Sequence, residues 1–112
     1  MKIDFNRMRE ITVPKMDGGE GECRARMFAD ECGKIIYSVL PVGSSIGLHR
    51  QATSNDVNYV VSGHGKAVCD GVEEDLFPGN VHYCPKGSVH SIINTGNDEL
   101  VLFSVVTEIA GR

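Results

Sequence analysis

His49, Gln51, Asp56 and His90 are the side chains of this 112-residue chain whose types and placement suit chemistry. Imidazole and carboxylate groups are common ligands of divalent metals and common carriers of protons. His49 and Gln51 stand two residues apart at the end of Gly43-Ser-Ser-Ile-Gly-Leu-His49-Arg-Gln51, and side chains two apart on a strand share a face. Asp56 opens Asp56-Val-Asn-Tyr59-Val-Val-Ser-Gly63, and His90 lies in Pro85-Lys-Gly87-Ser-Val-His90-Ser-Ile-Ile-Asn94. A lone histidine in a β-rich chain is more often a satisfied polar residue than a ligand. Four side chains from such separated segments meet only if the fold closes on itself. No Ser-His-Asp order, phosphate loop or dinucleotide fingerprint appears, and Gly63-His64-Gly65 lacks the strand-to-helix setting such loops require.

The elements that must position these residues are short strands separated by turn chemistry. Residues 24–28, 34–42, 48–51, 58–62, 66–69, 72–77, 81–84, 89–94 and 100–107 read as strands, with residues 52–56 as a polar loop. Asp70-Gly71 is the strongest hairpin signal. Residues 1–22 form an N-terminal arm that ends in the glycine-rich, flexible loop Met16-Asp-Gly-Gly-Glu-Gly-Glu22, and residues 23–112 form the domain. No window carries a sustained helical period, so little or no helix is expected. Turns every 8–12 residues are the pattern of an all-β sandwich or barrel.

The two stretches around His49 and His90 resemble the signature motifs of the cupin family. The first of those motifs is a glycine, five residues, His-x-His, a short gap, Glu, six residues and Gly. The second is Pro-x-Gly, two residues, His, three residues and Asn. The resemblance covers roughly residues 34–107 and implies an antiparallel jelly-roll β-barrel. In that family two histidines and a glutamate of the first motif and the histidine of the second hold one divalent metal. Carried over, the ligands are His49, Gln51, Asp56 and His90, with Gln51 in place of the second histidine and Asp56 in place of the glutamate.

An amide oxygen is a weaker and harder donor than imidazole, which lowers affinity and moves preference toward Mn, Fe(II) or Mg relative to Cu or Ni. The metal is expected to be Mn, Fe, Zn or Ni. Without Gln51 the set has the two-histidine, one-carboxylate composition of a facial triad. The alternative is a degenerate site in which the pocket holds water and polar side chains. His82 shares a face with Cys84. If that face looks inward, His82 is a base behind the ligands and Cys84 a wall residue. His64 reads as exposed, Tyr59 as core or cavity wall, and Asn94 as a residue that fixes its strand by hydrogen bonding.

One domain suits 112 residues, and 41% hydrophobic with 23% charged residues is ordinary globular composition. A net charge of −4 without a basic patch argues against nucleic-acid and anionic-membrane partners. The four cysteines have no Cys-x-x-Cys spacing, and no long apolar segment follows Met1, so a cytoplasmic protein with reduced thiols is expected. Residues 100–106 are apolar on both faces, which points to a homodimer. Two function classes stay open: a metal-dependent enzyme acting on a small polar metabolite (isomerase, decarboxylase or dioxygenase), or a module that binds a small ligand without turnover.

Overall fold

In the last strand every second side chain from Leu100 to Ser104 is buried, and the residues between face outward. A period of two puts alternate side chains of a strand on opposite faces, and the strands assemble into two facing sheets. The structure, a computed structural model, describes residues 1–109; the last three residues of the barrel segment expected over 23–112 lie outside the described residues.

The strands are β1 (Ile11–Pro14), β2 (Glu22–Asp30), β3 (Gly33–Leu40), β4 (Ser45–Arg50), β5 (Ser54–Ser62), β6 (Gly65–Cys69), β7 (Val72–Leu76), β8 (Val81–Cys84), β9 (Val89–Asn94) and β10 (Leu100–Glu108). Two short 3₁₀ turns, Phe5–Arg7 and Met16–Gly18, are the helical segments among the described residues. One sheet has the order β1-β2-β3-β10-β5-β8 and the other β4-β9-β6-β7, with antiparallel pairing between neighbours. This is the expected all-β, antiparallel jelly-roll barrel.

Leu40, Val60, Leu76, Ile92, Leu100 and Leu102 fill the space between the sheets, with Met16 and Ile46 packed against them. Each such side chain contributes about 1.5–3 kcal/mol by leaving water. The core occupies one end of the barrel, and the other end stays open. The β6–β7 hairpin turns on Asp70 (φ 50°) and Gly71 (φ 81°), left-handed at both central residues as a two-residue turn of this type requires.

Three elements differ from the sequence reading by more than a residue or two at their ends. β4 begins at Ser45 rather than at residue 48 and ends before Gln51. Ile11–Pro14 is a four-residue edge strand paired with β2, ending at a proline that an edge tolerates because no further ladder bond is needed there. β5 begins at Ser54 rather than at residue 58, so Asp56 is a strand residue paired with Cys84 and Val106. Ser54, Asp56 and Asn58 line the cavity; with polar residues on the inner face, the alternation that marks a strand is hidden. The glycine-rich run after β1 is fastened to β4: the Glu20 N–H donates to Ser45 Oγ at 2.9 Å, and the Ser45 N–H donates to the Glu20 carbonyl at 2.9 Å.

Candidate metal centre

His49 on β4 stands directly opposite His90 on β9. A register irregularity between Ile46 and His49 re-aims the imidazole into the barrel, as bulges beside sites do. Its Nδ1 lies 2.8 Å from the Gly47 carbonyl oxygen and 3.3 Å from Asp17 Oδ2. Asp17 arrives there because Gly47 has no side chain; a β-carbon on Gly47 would overlap the Asp17 carbonyl. Gln51 follows β4 and is held by the later motif. Its N–H donates to the Ser88 carbonyl, and its own carbonyl accepts from the Gly87 N–H. The Gln51 amide nitrogen donates to Ser54 Oγ at 3.0 Å, which turns Oε1 toward the histidines. Asp56 points inward from β5, its side chain 13% exposed.

Four donor atoms converge. His90 Nε2 lies 3.1 Å from His49 Nε2, 3.3 Å from Gln51 Oε1 and 3.4 Å from Asp56 Oδ2, and His49 Nε2 lies 3.0 Å from Gln51 Oε1. Ligand atoms of His49, Asp56 and His90 all fall within 4.8 Å of one another. Two ligands at right angles on one ion, each bonded at about 2.1 Å, stand about 3.0 Å apart. The residues present therefore fit a divalent ion.

The tautomers of neutral rings follow from fixed partners. A carbonyl oxygen only accepts, so His49 Nδ1 carries its proton toward Gly47 and Nε2 presents a lone pair. Glu74 Oε1 lies 2.6 Å from His82 Nδ1, which must then be the protonated nitrogen of that ring. His82 Nε2 is then an acceptor, and His90 Nδ1–H donates to it at 2.9 Å. His90 Nε2 is left with a lone pair aimed at His49 and Asp56. Two imidazole lone pairs facing each other repel unless a cation or proton lies between them.

Burial raises the Asp56 carboxyl above the usual carboxylate range, against a hydrogen bond with Asn58 and the charges of His49, His82 and Lys34. Burial lowers His90 to about 4 from 6.5. A ring that resists protonation keeps its lone pair for a metal ion, and a bound cation would offset the cost of burying the Asp56 charge.

The cupin domain model matches residues 36–106. The chain belongs to the cupin family. A relative from Thermotoga maritima, described as an oxalate-binding protein, is 32% identical over 109 residues, covering 89% of this cupin and 90% of its own length. The crystal structure of a predicted oxalate decarboxylase from Thermotoga maritima matches it with a TM-score of 0.91 at 26% identity, over 97% of this cupin and 100% of that chain. An RmlC-like cupin from Shewanella frigidimarina, 14% identical, shares the fold with a TM-score of 0.79 over 97% and 91% of the two chains.

The other residues singled out in this cupin separate clearly. His82 is fully buried behind His90, and Cys84 is buried beside it, its thiol pushed up to about 12 chiefly by burial. Asn94 fixes its strand as expected, donating to the carbonyls of Leu40 and Asp98 at 2.9 Å each. Tyr59 is neither core nor cavity wall; it lies on the outer face, 42% exposed. His64 is half-buried rather than exposed, because its ring stacks on Phe77 at 4.6 Å between centroids.

Asp17 and Glu74 carry no sequence signal for this role. Asp17 sits in a glycine-rich run, and Glu74 in Glu73-Glu74-Asp75, which reads as a solvated strand face. The centre opens into a cavity of about 550 Å³ lined also by Met16, Ile36, Ser104 and Val106.

Proposed function

We propose that this cupin holds a divalent metal ion through His49, Asp56 and His90, with Gln51 as a fourth, weaker ligand, and binds a small carboxylate such as oxalate beside it. The observation that carries the reading is the spacing of the four donor atoms, 3.0–3.4 Å for the closest pairs, at the wall of a cavity. A bound ion would supply a Lewis acid for a carboxylate or carbonyl oxygen. The hard oxygen donors of Gln51 and Asp56 favour Mn or Fe(II), with Zn and Ni as the other candidates.

The protein's own groups hold the rest in place. Ser54 turns the Gln51 oxygen inward, Gly47 and Asp17 orient His49, and Glu74 acts on His90 through His82. The relative described as an oxalate-binding protein supports oxalate as a first probe. The enzymatic reading draws on the similar structure described as a predicted oxalate decarboxylase, and formate release from oxalate tests it.

Homodimerisation through the outer face of the six-stranded sheet belongs to the same proposal. Tyr59, Val61, Val81 and Tyr83 are each 42–56% exposed there, and apolar faces of this kind mark association surfaces. A reducing, cytoplasmic setting is supported by four free thiols. No helix among the described residues is long and apolar enough to cross a membrane.

Elemental analysis of protein purified without chelator, with calorimetric titration of oxalate, tests the reading. The expected result is near-stoichiometric transition metal, and oxalate binding that His49→Ala and His90→Ala abolish. Less than about a tenth of an equivalent, with no uptake when metal is added at a pH where the ligands are deprotonated, would sink it.

A further inference from the structure

The cavity is chemically graded along the register of the large sheet. One inward row runs Asp56 (β5), Val106 (β10) and Lys34 (β3). The next row inward runs Asn58 (β5), Ser104 (β10), Ile36 (β3) and Met27 (β2). All of these residues line the same cavity. The wall is thus polar at β5, beside the metal ligands, and apolar in the second row at Ile36 of β3 and Met27 of β2, while Lys34 and Ser38 make the rest of β3 polar. Ile11 and Val13 of β1, with Ala25 of β2, carry the apolar wall to the sheet edge.

The polar residues of the second row satisfy each other: Ser104 Oγ donates to Asn58 Oδ1 at 2.7 Å. They make no demand for a ligand group between the metal ligands and Ile36. The apolar residues are not satisfied in that sense. Met27 is 41% and Ile11 50% exposed. Three strand spacings separate β5 from β2, about 14 Å. The volume of about 550 Å³ lies within the range of roughly 300–1,000 Å³ typical of pockets that enclose drug-sized ligands. Oxalate, the smallest dicarboxylate, would occupy the polar end alone and leave the Ile36–Met27 wall in water.

We infer that the ligand of this site is an amphipathic carboxylate, with its acid head at His49, Asp56 and His90 and an apolar tail of several carbons lying over Ile36 and Met27. The inference rests on the metal-centred reading above and narrows its ligand class. Lys34 shares the row of Asp56, two strands away on β3, where its ammonium complements the ligand's acid group. Burial of the tail supplies affinity in proportion to the apolar area it covers.

The test titrates the Mn-loaded protein with oxalate and with unbranched α-keto acids from pyruvate up to α-ketododecanoate, whose extended chain spans the distance from β5 to β2, following binding by calorimetry. Affinity along the keto-acid series should rise about fourfold per added methylene. Met27→Gln and Ile11→Ser should each lower that slope while leaving oxalate affinity within about twofold. Met27 and Ile11 are half exposed, and retained oxalate binding certifies the fold of each variant. A flat series in wild type with oxalate still bound overturns the amphipathic ligand and leaves the metal-centred reading standing. A slope unchanged in both variants overturns the placement of the tail. Failure to take up metal, with neither oxalate nor any keto acid bound, overturns this inference together with the reading beneath it.

Discussion

His82 Nε2 lies 2.9 Å from His90 Nδ1 inside the barrel, and neither ring is exposed to solvent. Because Glu74 lies 2.6 Å from the far nitrogen of His82, the half-exposed carboxylate and the two buried rings form one chain of donors and acceptors. The chain decides which nitrogen of His90 faces the cavity with a lone pair. Partners of this kind orient a ligand histidine and raise its basicity. His82 is therefore a positioning residue for the centre.

Replacing His82 with Phe should lower metal affinity by about 10–100-fold, measured by competition with a chromophoric chelator. Glu74→Gln, which removes the charge at the protein surface, should give a smaller loss that Glu74→Asp largely restores. A purely structural role for Glu74 predicts equal affinity for the Gln and Asp variants. The d–d absorption of the Co(II)-loaded protein reports the same change in His90 without any assay of activity.

Asp56 and Gln51 should respond in opposite directions. Asp56→Asn removes a carboxylate whose charge is disfavoured by burial, so the metal-free protein should gain about 1 kcal/mol in urea unfolding while metal uptake is lost. Gln51→His supplies a third imidazole at a position whose amide oxygen already lies 3.0 Å from His49 Nε2, and should tighten Zn or Ni binding by about tenfold. Unchanged affinity in Gln51→His would mean that this side chain stands off the ion.

His90 should make the metal-free protein less stable on mild acidification. Burial holds His90 at about 4, against 6.5 for an ordinary histidine. The unfolded chain takes up this proton below about 6.5 and the folded chain does not, so stability is complete above 6.5 and declines as pH falls toward about 4. Asp56 acts in the opposite direction, since a raised carboxyl favours the folded state as it protonates, so the His90 loss is read in the Asp56→Asn background. Urea midpoints of chelator-treated protein at about pH 7.5 and about pH 5.5 measure it, and His90→Gln should flatten the difference.

On the outer face, Tyr83 pairs with Val57 and Val81 with Tyr59 across β5 and β8. Tyr83→Glu should convert a dimer to a monomer in light scattering at micromolar concentration, with the thermal midpoint of the monomer fold nearly preserved because Tyr83 is 51% exposed. A wild-type protein that already scatters as a monomer removes the interface.

Much of this molecule is legible in its amino-acid sequence. Residues 81–84 and 89–94 read as strands to the residue, because Pro78-Gly79 and Pro85-Lys-Gly87 punctuate them and Val81, Tyr83, Val89, Ile92 and Ile93 favour extended backbone. The convergence of His49, Gln51, Asp56 and His90 was legible through motifs whose spacing belongs to one barrel geometry. What the chain conceals is every neighbour that depends on closure. β1 is short and ends in Pro14, so its pairing with β2 leaves almost no local trace. The polar inner face of β5 looks like a loop because it lines a cavity instead of a core. Glu74 and Asp17 reach the two histidines only through packing across strands, at 2.6 Å and 3.3 Å. A period of two tells each residue which face it takes. Which residues then meet across the barrel is decided by sheet order, bulges and the missing side chain of Gly47, and these exist only in the folded chain.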